Sequence, residues 1–202
     1  MTTTNPSSSA LRPVLGVLTV LAMGVALVAP LHANAQSFIL MNINEQSTVS
    51  RFIKDANSRL WTFPSTSNTQ IRSQAFWNVT TENRSWFQAG IGQNVTCACM
   101  RITSPAQADS GKAMIPGYPY SPGTPVLWTN DDDSNDQRRW EFVNTSNPHV
   151  FQIRMVWNRN LCVASTGPKN GGFGPLELTQ CDAGDEAQGF ILLNSVTGAF
   201  AR

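Results

Sequence analysis

The sequence predicts an all-β domain made of three copies of one motif. Two observations lead there. No long stretch carries helical periodicity: the apolar or alternating runs are short, rich in Val, Ile, Phe and Trp, and broken by Gly, Pro, Asn, Asp and Ser. Phrases also recur. "QRRWEFV" at 137–143 echoes "QAFWNV" at 74–79, each placing a Trp three residues after a Gln.

The repeats can be taken in order along the chain. "SFILM" at 37–41 reads as the opening strand of the first copy. "LWT" at 60–62 repeats "LWT" at 127–129, so Trp61 is expected to match Trp128, with an insertion before Trp77. "WFQ" at 86–88 resembles "VFQ" at 150–152 and marks the corresponding stretch of the next copy. Aligning Trp140 with Phe190 brings "TPVLWTNDD" (124–132) onto "GPLELTQCD" (174–182) without a gap, and the spacing from Trp128 to Trp140 equals that from Leu178 to Phe190. The copies fall at roughly 37–82, 83–144 and 145–202. Three helix-free copies of this size predict a single β-trefoil; a propeller usually needs four or more blades, and a sandwich does not predict three copies. Trp77, Trp140 and Phe190 are then expected as equivalent wedges in a shared core, since large aromatics bury much apolar area.

The N-terminal segment is not expected in the fold. Met1–Pro13 is polar with Arg12 as its single charge, Val14–Pro30 is apolar, and "HANAQ" supplies an Ala33-x-Ala35 cleavage site. This reads as a secretory signal peptide over 1–35, leaving a domain at 36–202. The whole chain carries 14 basic and 13 acidic residues. That balance gives no basic stripe, so direct nucleic-acid binding has no electrostatic footprint.

The four cysteines, at 97, 99, 162 and 181, all follow the signal segment, which implies disulfides in an oxidising compartment with three pairings open. Metal binding fits poorly, because no C-x-x-C occurs and His149 is the only histidine beyond the signal segment. Cys97 and Cys99 would face one side of an extended strand, near the upper limit of disulfide reach. A mutual bridge, two thiols and an intersubunit bond all remain open for them.

Gln-x-x-Trp near the repeat ends, with paired Cys inside a repeat, resembles the Gln-x-Trp pattern of the ricin-B-type trefoil lectins. "NLCVAS" and "LELTQCD" place Cys162 and Cys181 at the two strands such lectins join, so the resemblance implies that disulfide. A closer resemblance is to the two trefoil subunits of cytolethal distending toxins, first the one typically made with a lipid anchor and next its trefoil partner. "FILMNINEQ", "RLWTF", "QAFWNV", "VFQIRMVWNRNLCVAS" and "LELTQCD" carry it, over most of 38–190, and "FILLNSVTGAF" is similar to the trefoil partner. The resemblance implies a non-catalytic subunit, exported to the periplasm and then outward or to the outer membrane. It implies a heterotrimer whose other members are a second trefoil subunit plus a DNase-like catalytic subunit. It also implies binding to a host-surface glycan or lipid. It places a host-facing aromatic patch at Phe52, Trp61 and Phe63, thinned by Ser58 and Arg59. The lipid-anchored trefoil typically has an anchor Cys and a longer segment before the trefoil, and this chain departs from both.

A ricin-type galactose pocket needs an Asp shortly after the first Cys of a repeat. Val163-Ala164-Ser165 and Met100-Arg101-Ile102 supply none, and Lys54-Asp55 is a weak candidate, so the standard pockets look decayed. "NDDDSND" at 130–136 reads as a solvated acidic turn, lacking the Gly and distal Glu of an EF-hand loop. "AMIPGYPYSPGTP" at 113–125 is a Pro-stiffened insertion; Tyr118 and Tyr120 make it a candidate partner contact, a stiff surface loop being the plain alternative. No nucleophile–base pairing, G-x-S-x-G, H-E-x-x-H or P-loop occurs, so no catalytic residue, cofactor or metal is expected.

Overall fold

The computed structural model describes residues 37–51, 58–64, 74–88, 92–131, 138–168 and 173–201. The signal segment, Phe52, Lys54-Asp55 and residues 132–136 of the acidic turn lie outside the described residues. Twelve strands follow one another: β1 (Phe38–Asn42), β2 (Ser47–Ser50), β3 (Trp61–Phe63), β4 (Phe76–Gln88), β5 (Gln93–Thr103), β6 (Lys112–Pro116), β7 (Val126–Asn130), β8 (Trp140–Asn144), β9 (Phe151–Met155), β10 (Leu161–Ser165), β11 (Leu176–Gln180) and β12 (Phe190–Asn194).

Six strands close an antiparallel ring: β1 pairs β4 and β12, β4 pairs β5, β5 pairs β8, β8 pairs β9, and β9 pairs β12. The other six form the hairpins β2–β3, β6–β7 and β10–β11. Bridges run between these hairpins in rotation, from Arg59 to Leu127, from Pro125 to Glu177 and from Trp61 to Pro175. Each copy of the motif thus contributes two ring strands and one cap hairpin.

The core shows the same rotation. Leu40, Ile102 and Ile153 form one set of equivalent buried positions; Val49, Met114 and Val163 form a second; Leu60, Val126 and Leu176 a third; Trp77, Trp140 and Phe190 a fourth. The fourth set is the expected group of aromatic wedges, all fully buried. A buried indole N–H needs a partner. Trp77 Nε1 donates to the carbonyl of Val49 at 2.9 Å and Trp140 Nε1 to that of Met114 at 2.8 Å, the equivalent acceptor in the next copy. Phe190 has no donor and needs none.

The first copy is registered differently from the expectation. The bridges pair Arg59 with Leu127 and Trp61 with Pro175, which makes Leu60 the counterpart of Val126 and Thr62 the counterpart of Trp128 and Leu178. The two "LWT" phrases are therefore one residue out of phase. A one-residue shift along a strand moves a side chain to the other face, so Trp61 leaves the core and stays half-buried while Thr62 turns inward. Arg51 lies above both Trp77 and Trp128, its guanidinium 5.9 and 5.7 Å from the ring centres. The same guanidinium donates from Nη1 to Asp109 and Ser104. Burial outweighs the Asp109 charge and holds the Arg51 pKa below the usual arginine value.

A second correction concerns "WFQ". The ring pairs Phe38 with Trp77, Met100 with Trp140, and Phe151 with Phe190. Met100, not Phe87, stands where Phe151 stands in the next copy. The residues between Thr81 and Met100 instead form a projecting hairpin, an arm whose ladder runs on to Gln88 opposite Gln93. Its tip rests on the body: Trp86 stacks on Trp157 with centroids 6.3 Å apart, and Gln88 Nε2 donates to the Trp157 carbonyl at 3.4 Å.

Charged side chains hold the base of the arm. The side chains of Arg139 and Asp131 are both fully buried, with Nη1 and Oδ1 3.1 Å apart. Asp131 also meets Arg101 at 2.9 Å, while Glu82 meets Arg139 at 2.8 Å and Arg84 at 2.9 Å. Burial pulls the Glu82 carboxyl up, but the hydrogen bonds and charges of Arg139 and Arg84 outweigh it and hold its pKa below the usual value. Burial likewise pulls Arg139 down, and Glu82 and Asp131 more than reverse this. Cys162 is bonded to Cys181 and Cys97 to Cys99. Asp131 follows β7 as Cys181 follows β11, and both backbone N–H groups donate to a turn carbonyl at 2.8 Å, from Gly111 and Asn160 respectively. Asp131, a member of the ion-pair knot, thus stands in the second copy where Cys181 stands in the third, while Ala113 stands where Cys162 does.

Candidate functional site: an aromatic patch on the cap

Residues i and i+2 of a strand share a face, so β3 presents Trp61 and Phe63 together. The Trp61–Pro175 bridge brings the third copy alongside, and Phe173 lies over both. Phe173 stacks on Phe63 with centroids 6.1 Å apart and an interplanar angle of 10°, and tilts against Trp61 at 6.4 Å. Phe63 is buried, at 3% exposure, so it supports the patch from beneath. Phe173 is 48% exposed and forms its outer surface. Sequence reasoning missed Phe173. Its one signal was an isolated Phe between glycines in "NGGFGP".

The floor of the patch is polar and fixed. Thr62 points to the opposite face and donates its hydroxyl to Glu45, a fully buried carboxylate that also accepts from the Ser165 hydroxyl. The Gly174 N–H donates to Thr62 Oγ1 at 3.1 Å, and the Thr62 N–H donates to the Gly174 carbonyl at 2.9 Å. Glycine is required where the chain folds over this carboxylate: a Cβ on Gly167 would lie 2.2 Å from Glu45 Oε1. The buried Glu45 ties β3 to β10 through Thr62 and Ser165.

The positions after the first cysteines supply no sugar-binding acid. Val163, Ala164 and Ser165 are buried in β10, with Ser165 committed to Glu45. Arg101 is committed to Asp131. The Gln of Gln-x-Phe, Gln188, is a buried brace: its Nε2 donates to the Gln180 carbonyl at 2.8 Å, while its Oε1 accepts from Gln152 at 2.9 Å and from the Asp182 N–H at 3.0 Å. A separate cleft of about 250 Å³ is lined by Thr145, Asn147, Gln152, Asp185 and Glu186, among others.

The Tyr-bearing loop lies at the junction of the second and third copies. Gly117 N–H donates to the Pro125 carbonyl at 2.9 Å and Gly123 N–H to the Leu178 carbonyl at 2.8 Å. Tyr118 stands out at 87% exposure, edge-on to Tyr120 at 5.9 Å. Tyr120 packs partly against the core. The structure therefore brings Trp61 and Phe63 together and sets Tyr118 and Tyr120 on a separate hairpin of the cap.

No protein-family model matches the chain, and no curated protein matches it. Solved structures do. A designed three-fold symmetric protein, ThreeFoil, superposes with a TM-score of 0.56 at 10% identity, covering 77% of this chain and 96% of its own. The Macrolepiota procera ricin B-like lectin, solved in complex with lactose, gives 0.55 at 16% identity, covering 78% and 94%. The fold is a β-trefoil. The Polyporus squamosus lectin, bound to a sialylated influenza-binding epitope, gives 0.58 at 11% identity, covering 79% of this chain and 49% of that one. Identities this low establish the trefoil and nothing finer.

Proposed function

We propose that this trefoil is a secreted, non-catalytic binding component of a toxin of the cytolethal distending type. In this reading the segment 1–35 is removed on export, and the domain pairs with a second trefoil subunit plus a DNase-like one. Phe173 and Trp61, seated over the buried Phe63, meet a host-surface glycan or lipid. Tyr118 and Tyr120, with the arm, face the partner chains.

One observation carries the binding role: a large aromatic, Phe173, is held half in solvent on a stack of two others, over a floor of committed hydrogen bonds. Such a surface suits the apolar face of a pyranose ring or a lipid chain, and an exposed aromatic cluster is costly unless something covers it. The sugars bound by the M. procera and P. squamosus lectins support a glycan as the ligand. Partner chains and the toxin role rest on the sequence resemblance alone.

The test is co-purification. The chain is expressed alone and together with its two expected partners, the second trefoil and the DNase-like protein, and the products are weighed by light scattering. A 1:1:1 assembly is expected. A monomer indifferent to both partners overturns the delivery role. One observation favours a second reading, a free-standing lectin: the polar cleft near Asn147, Gln152 and Asp185. That reading predicts a stable monomer that binds a glycan array, with binding lost in Asn147→Ala and kept in Phe173→Ser.

A further inference from the structure

We propose that Cys97-Ala98-Cys99 is a thiol–disulfide exchange site on the arm, with Cys97 as the sulfur that meets an incoming thiol. This goes beyond the binding role and does not depend on it.

Three features set this bond apart from Cys162–Cys181. First, the fold does not need it. It spans a sequence separation of 2, with Cα atoms 5.1 Å apart in one strand, whereas Cys162–Cys181 spans 19 and ties β10 to the segment after β11. A short loop removes little entropy from the unfolded chain, and the arm is already held by its continuous ladder, the Trp86–Trp157 stack and the Arg139 ion pairs. Second, the two sulfurs differ in access. Cys99 is fully buried, whereas Cys97 is partly exposed and lines an open cleft of about 500 Å³ with Asn83, Arg84, Ser85, Thr96 and Ala98. Third, their cross-strand neighbours differ in charge. Arg84 stands opposite Cys97 and Glu82 opposite Cys99, and directly opposed residues lie within interaction range. Arg84 pairs with Glu82 at 2.9 Å, so its charge beside Cys97 is partly offset and access is the larger difference between the two sulfurs. An accessible cysteine beside a cation, paired with a buried one, is the layout that exchange chemistry uses.

The step balances with thiols as co-reactant. A substrate thiolate attacks Cys97 Sγ, the Cys97–Cys99 bond breaks, and its electron pair leaves on Cys99, which takes up a proton. A second substrate thiolate attacks the substrate sulfur of the mixed disulfide, and Cys97 leaves as thiolate. Two thiols become one disulfide, and the cysteine pair is reduced.

The experiment uses the full oxidised chain in graded reduced and oxidised glutathione, and in parallel a reduced two-cysteine peptide, read by alkylation and peptide mass spectrometry. The 97–99 bond is expected to equilibrate with glutathione while Cys162–Cys181 stays closed and the near-ultraviolet circular dichroism is unchanged. Cys99→Ser should trap glutathione on Cys97 about tenfold more than Cys97→Ser traps it on Cys99. Arg84→Gln should slow that trapping several-fold. Reaction with glutathione alone assigns the site to small thiols, and oxidation of the peptide assigns it to protein thiols. Opening of the 97–99 bond only on unfolding, or equal trapping in the two single variants, overturns the proposal.

Discussion

Removing Asp131 should be the most damaging single change outside the aromatic core. Its carboxylate is fully buried, 3.1 Å from the fully buried Arg139 and 2.9 Å from Arg101. Asp131→Ala leaves three arginines, Arg84, Arg101 and Arg139, facing one carboxylate, Glu82. Breaking a buried pair by deleting one partner costs about 3–5 kcal/mol. Because Arg139 keeps Glu82 at 2.8 Å, the low end applies, about 3 kcal/mol. At about 3 °C per kcal/mol for a domain of this size, Tm should fall by about 9 °C. Arg101→Ala removes a partner that is 21% exposed and should cost about 1 kcal/mol or less. Urea unfolding of both variants, with unchanged slope, measures the difference. Equal losses in the two variants, or an Asp131→Ala loss within about 0.5 kcal/mol of zero, would refute the idea that Asp131 holds the knot together.

Other outcomes follow from the same structure. Gln188→Ala strands the Asp182 N–H and the Gln180 carbonyl and should destabilise by about 2 kcal/mol, measured by thermal unfolding. Trp140→Ala empties a fully buried site and leaves the Met114 carbonyl without its donor, for about 4 kcal/mol. Phe173→Ser should leave stability within about 1 kcal/mol yet weaken binding to host cells at least about tenfold, read by flow cytometry; unchanged binding would remove the patch from the proposed function. The Glu82 pKa is held below the ordinary glutamate value by Arg139 and Arg84, against the pull of burial. Its contribution is therefore fully present above the ordinary value and is lost as pH falls through the lower folded value. A stability–pH curve should show this acid loss in the wild type and lack that component in Glu82→Gln.

The core was legible in the sequence because it obeys spacing. Trp77, Trp140 and Phe190 recur at the end of each copy, and all three are buried wedges. Composition was a poorer guide to register. Two identical "LWT" phrases suggested one alignment, but backbone pairing follows the burial phase, and Thr62 takes the place of Trp128. The arm was hidden for a related reason. Trp86 and Phe87 look like a strand opening, and nothing local says that their ladder extends beyond the ring. The ion-pair knot joins Glu82, Arg101, Asp131 and Arg139 from separate strands and turns. Of these, the sequence singled out only Asp131, and as part of a solvated acidic turn, whereas its carboxylate is fully buried against Arg139 and Arg101. Two of the three patch members, Trp61 and Phe63, were readable. The exposed member, Phe173, comes from another copy, brought alongside by the Trp61–Pro175 bridge and the Thr62–Gly174 hydrogen bonds.

The ring is closed by its first and last strands. Phe38 to Asn42 pair with Phe190 to Asn194 along their full length. The opening strand therefore has one neighbour that is synthesised only after the ten strands between them. Until the final strand arrives, β1 keeps an unpaired edge and the core stays open beside Leu40, which tends toward slow folding.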